Sequence, residues 1–167
     1  NFQLLTSGLK GMNPYVTFNV TQPPFDDVRV RKAFNLAIDR QSLIKAVVSG
    51  NGVEQHGALS PATSGYWAGI EKVGYGFDLP QAKELMKQAG FVAGSDGMLS
   101  KDGKPLKLEM QVTQLEARIK AAEVIQQHYK ALGADVAIQG LESGTLVKNV
   151  LGGKYVIAVF GFQFPLV

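Results

Sequence analysis

Between Leu106 and Phe162 the hydrophobic pattern switches repeatedly between period two and period 3.6, and this succession restricts the fold more than any other feature. Leu106, Leu108, Met110 and Val112 alternate with Lys107, Glu109, Gln111 and Thr113, the signature of a half-buried strand. Leu115, Ile119, Ala122, Ile125, Tyr129 and Leu132 then recur at helical spacing. Glu116 and Lys120 pair at i, i+4 outside that stripe, and Gly133 ends it. Val136 and Ile138 alternate again, and a short helix around Thr145 to Leu151 stops at Gly152-Gly153. Tyr155 to Phe162 is an almost continuous apolar run, which suits a strand buried on both faces. Parallel neighbours need a crossover, usually a helix, so this order predicts an α/β fold with a mixed, partly parallel sheet flanked by helices.

The first hundred residues add helices to that frame. Tyr15 to Val20 reads as a strand ended by Pro23-Pro24. Asp26-Asp27 offers an N-cap to a helix carrying Val28, Val30, Ala33, Phe34, Ala37 and Ile38. Asp39 caps a second helix with Leu43, Ile44, Val47 and Val48 on one stripe, stopped by Gly50-Asn51-Gly52. Residues 51–76 read as a loop region. Asp78 and Gln81 form a capping-box-like pair ahead of Ala82, Leu85, Met86 and Ala89, and Gly90 supplies the stop. Ser95-Asp96-Gly97 and Asp102-Gly103 are tight-turn signals that bracket a hairpin strand.

Composition narrows the functional classes. A net charge of +3, spread along the 167 residues, gives no basic stripe for nucleic acid. No apolar run reaches the roughly 18–20 residues of a membrane span. Cysteine is absent, which excludes disulfides, thiolate metal sites and a cysteine nucleophile. No signal-peptide pattern opens the chain. A strand-like start without a partner and a buried strand close to the end predict a single domain, residues 1–167, excised from a larger protein.

Catalytic constellations are not evident. His56 and His128 share no metal-ligand spacing with other residues, so no metal site is expected. No Gly-x-Ser-x-Gly elbow exists, and Gly74-Tyr75-Gly76 and Gly152-Gly153 match no nucleotide fingerprint. Asp26, Asp27 and Asp39 stand where helix caps belong, and Arg29, Arg31, Lys32 and Arg40 read as a solvated helix face with local ion pairs. Neither an enzyme nor a cofactor is expected. In open α/β sheets ligands gather beyond the carboxyl ends of strands. That rule selects Thr113 and Gln114 after the alternating strand, and Gly161, Phe162, Gln163 and Phe164 at the last one, as candidate ligand-binding residues.

The stretch Phe18-Asn19, then Pro23-Pro24-Phe25-Asp26-Asp27-Val28-Arg29-Val30-Arg31-Lys32-Ala33-Phe34-Asn35-Leu36-Ala37-Ile38-Asp39-Arg40, closely resembles a signature of family 5 extracellular solute-binding proteins. The likeness continues through Tyr75-Gly76-Phe77-Asp78, Ala82 to Phe91, Leu132 to Val136 and Gly153 to Val156. It implies one lobe of a type II periplasmic binding protein-like fold, the lobe nearer the C-terminus, that closes by hinge motion on a second lobe of the same chain. It further implies passive binding of a peptide or similar small solute, delivery to an ABC permease, and a periplasmic or extracytoplasmic location, with a lipid anchor on the full-length protein as one option. Alternatives within reach are a nickel or haem carrier and the ligand-sensing module of a transcription regulator. Peptide-binding relatives often carry an aromatic and then an aspartate just after the last strand. Phe162 matches the aromatic, and no aspartate stands in Gly161 to Val167.

Overall fold

The computed structural model describes residues 12–57, 59, 61 and 65–163. Strand β1 (Met12–Phe18) is followed by helices α1 (Val28–Leu36) and α2 (Arg40–Val48). The one-turn helix α3 (Ile70–Val73) precedes α4 (Leu79–Gln88), and a small meander follows, β2 (Val92–Ala93), β3 (Leu99–Lys101) and β4 (Lys104–Pro105). The rest is regular α/β: β5 (Lys107–Thr113), α5 (Glu116–Leu132), β6 (Asp135–Leu141), α6 (Ser143–Leu151) and β7 (Ile157–Gln163).

The main sheet has the order β1-β7-β5-β6. β5 runs parallel to both neighbours and β1 antiparallel to β7, so the sheet is mixed, as the alternating periods predict. Helices cover both faces. On one, Ile119 of α5 packs over Gly140, where an added Cβ would stand 3.5 Å from Ile119 Cδ1. On the other, Asn149 of α6 donates to Gln111 Oε1 at 3.2 Å, and Leu146 and Ala158 are fully buried. This second layer corrects the half-buried reading of β5. Gln111 lies on the supposed outer face yet is 6% exposed, because α6 covers it and three hydrogen bonds satisfy its amide.

The α5 side holds the main core. Phe18, Phe25, Phe34 and Tyr129 form a chain of rings with centroids 4.5–6.0 Å apart. Phe25, Phe34 and Tyr129 are completely buried, each side chain stabilising the fold by about 1.5–3 kcal/mol through removal from water. The Tyr129 hydroxyl has no hydrogen-bond partner among the described residues, and burial pushes its pKa up. Tyr129→Phe is therefore expected to leave stability unchanged or raise it by up to about 1 kcal/mol. Urea unfolding checks this, and a loss above that size would reveal a partner for the hydroxyl.

The long signature segment builds scaffold. Asp27, Asp39 and Asp78 cap α1, α2 and α4 through backbone N–H groups two or three residues on. The Arg29 guanidinium holds the Asp27 carboxyl down at about 2. The solvated-face reading of the basic residues needs correction. Arg29 does pair with Asp27, but it also donates to Gln88 O. Arg31 donates to Phe25 O and Asp26 O, and Arg40 to Tyr75 O and Asn35 Oδ1. These guanidinium groups satisfy carbonyls that neither helix nor sheet pairs, and so tie loops to helices.

The strand expected over Tyr15 to Val20 starts earlier and ends at Phe18, because Asn19 turns to other work. Its buried side chain donates to Gly153 O at 3.0 Å and Tyr155 O at 3.1 Å, and accepts from the backbone and hydroxyl of Thr21. The end of β1 is thereby fastened to the turn that launches β7. Asn19→Ala is expected to cost about 2–3 kcal/mol by stranding both carbonyls. Asn19→Asp keeps the acceptor without the donors and should recover little of that loss in urea titrations.

Candidate functional site at the carboxyl end of the sheet

The parallel strands β5, β6 and β7 end on the same side, at Thr113, Leu141 and Gln163, and β1 starts there with Met12 opposite Gln163. The chain leaves β5 for α5 on one face and leaves β6 for α6 on the other. The connections therefore diverge between Gln114 and Glu142, a topological switch point of the kind that leaves a crevice in open α/β sheets.

Gln114 spans this crevice. Its N–H donates to Leu141 O at 3.0 Å and its Nε2 to Gly140 O at 3.3 Å, so its amide bridges β5 to β6. Glu142 closes the far side as the N-cap of α6, accepting from Thr145 N–H at 3.0 Å. The backbone N–H groups of Gly144 and Thr145 hold its carboxyl below the usual range. The carboxylate is thus committed to the helix.

The other half of the site is a stagger. The ladder between β5 and β7 stops at Val112 opposite Val159, whereas that between β1 and β7 continues to Met12 opposite Gln163. Its phase is readable. Asn19 N–H donates to Val156 O, so by alternation Ala158, Phe160 and Phe162 exchange bonds with β1. Residues 157, 159, 161 and 163 then turn their backbone groups toward β5. Pro14, opposite Gly161, fits this phase, because that position asks for no N–H. The backbone groups of Gly161 and Gln163 on the β5 side lie beyond the end of the ladder, just past Thr113.

Of the candidate residues, Thr113, Gln114 and Gly161 come together at this end of the sheet. Phe162 and Gln163 continue β7, with only their backbone described, and Phe164 lies outside the described residues. Gly140, Leu141 and Glu142 belong to the same rim and escaped the sequence reading. The carboxyl-end rule would have reached them had the short strand read at Val136 and Ile138 been extended to Leu141, where β6 ends. Among the described residues no group of three His, Asp or Glu side chains is placed to hold a metal ion. His56 lies 3.4 Å from Glu71 and 3.8 Å from Glu54. His128 Nε2 meets Ser42 Oγ at 3.1 Å, and burial lowers the pKa of that ring.

The sequence model of the bacterial extracellular solute-binding proteins, family 5 Middle, matches residues 3–165. The chain belongs to this family. It is 30% identical over 138 residues to the oligopeptide-binding protein AppA of Bacillus subtilis, covering 81% of this chain and 25% of that protein. It is also 30% identical over 155 residues to the dipeptide-binding protein of Escherichia coli, covering 92% and 28% respectively. The solved structure of AppA in complex with a nonapeptide superposes with a TM-score of 0.87 at 27% identity, over 95% of this chain and 32% of that one. The chain therefore spans about a quarter to a third of the relatives it matches. Its fold is that of one lobe-sized piece of a family 5 protein, α/β with a mixed sheet between helices, and its family is one of binding proteins.

Proposed function

We propose that this chain is one lobe of a two-lobed solute-binding protein that takes up a peptide or similar small solute outside the cytoplasm and hands it to an ABC permease. The reading includes no chemical step and no cofactor. The observation that carries it is the stagger of β7 past β5. An extended solute with a peptide-like backbone adds to β7 beyond the end of the β5 ladder as a further strand, using the polar groups of Gly161 and Gln163. Thr113 and the Gln114 bridge bound the space on the β5 side. Gly161 presents no side chain there, which favours close approach of another backbone. The backbone of Phe162 and Gln163 continues β7 past that point. The second lobe supplies the opposite wall and closes over the solute.

Half a cleft should bind poorly. The 167-residue chain alone is expected to bind short peptides with millimolar or weaker affinity, about −4 kcal/mol or less favourable. Isothermal titration with a mixed tri- to nonapeptide pool checks this. A micromolar dissociation constant for the isolated chain would refute the two-lobe reading.

A further inference from the structure

Among the described residues the helix layer over the main core leaves one corner open. α1, α4 and α5 each bury residues in the core, but α2 buries none. Its apolar stripe of Leu43, Ile44, Val47 and Val48 faces a groove of about 560 Å³ floored by Val16 and Val159 of the sheet. Val48 is 43% exposed, and Val53 at the rim is 56% exposed. In an α/β layer this is the surface a further element covers, since a stripe of this kind is stable only when buried. The outer edge of β1 borders the same corner and pairs with no strand among the described residues.

Two observations identify the occupant. Matched relatives are three to four times as long as this chain, so most of a family 5 protein lies outside it. In addition, β1 begins and β7 ends at one corner, Met12 opposite Gln163, a few residues from Val16 and Val159 in the groove floor. Polypeptide beyond residues 1 or 167 is tethered to this corner through residues 1–11 or 164–167. We propose that the groove between α2 and the β1–β7 corner is the seat of another part of the same, longer polypeptide, which docks an apolar segment there and completes the core layer. This rests on the two-lobe reading above and goes beyond it, because it places an intramolecular interface outside the solute crevice.

The chain has no cysteine, so single introduced thiols report cleanly. Val48→Cys probes the groove, and Lys104→Cys, on an exposed strand at the opposite end of the sheet, serves as reference. Both are made in the 167-residue chain and in the longer natural protein, with any cysteine outside these residues replaced by serine. Maleimide labelling at Val48→Cys should keep pace with the reference in the short chain and fall at least tenfold in the long one. Equal labelling in both overturns the proposal. Protection in the short chain that grows with its concentration assigns the groove to a second copy, and protection independent of concentration assigns it to residues 1–167 themselves; either result also overturns it. Solute titration of the same long protein separates the readings, because loss of binding with the groove still protected fails the transport reading alone.

Discussion

Truncating Phe34 to alanine lowers the stability of the fold by about 3–5 kcal/mol. Phe34 is fully buried and touches the rings of Phe18, Phe25 and Tyr129, so deleting it opens a cavity where β1, α1 and α5 meet. The neighbours cannot collapse into it, because Phe25 and Tyr129 are themselves held in place on other elements. A domain of this size is stable by about 5–15 kcal/mol, so the loss consumes a large share of the total. Phe34→Leu should recover more than half of it. Chemical denaturation followed by tyrosine and tryptophan fluorescence reads the midpoint, and a Phe34→Ala loss below about 1 kcal/mol would show that the ring cluster is not the centre of the core.

Replacing Gly161 by proline weakens solute binding by the longer natural protein about 100-fold, or about 3 kcal/mol. The phase of the β1–β7 ladder turns the Gly161 N–H toward the β5 side, past the end of that ladder. Proline removes this donor without taking a bond from β1. Because the pyrrolidine ring also restrains the backbone, the solute provides the matching probe. Methylating alternate backbone amides of a bound peptide should weaken its binding to the unsubstituted protein by a comparable factor. If both changes leave the affinity within twofold, strand addition to β7 is not how the solute is held.

Much of the local structure was legible in the sequence because local patterns dictate it. Asp27, Asp39 and Asp78 announce helix starts by their caps, and Gly90 and Gly133 take the left-handed conformations that end α4 and α5, with φ of 91° and 106°. The buried stripe of α5 follows the 3.6 period directly. The α/β class followed from the order of periods. What stayed hidden depends on partners distant in sequence. Nothing local tells β1 to pair with β7, about 140 residues away, or ends the β5–β7 ladder at Val159 while β7 runs on. Gln111 looked solvent-facing because alternation reveals which face a residue takes and not whether a second helix layer covers it. The site was therefore legible as a place, the carboxyl ends of strands, while its working feature, the stagger, is a property of register that a single sequence does not encode locally.

The most direct measurement is a melting-temperature screen of the longer natural protein against a broad library of peptides and small solutes. A ligand present at 100 times its dissociation constant stabilises by about 2.7 kcal/mol and should raise the midpoint by several degrees. The binding-protein account predicts such a rise for at least one extended, peptide-like solute and its loss in the Gly161→Pro protein. A midpoint unmoved by every member of the library would contradict it.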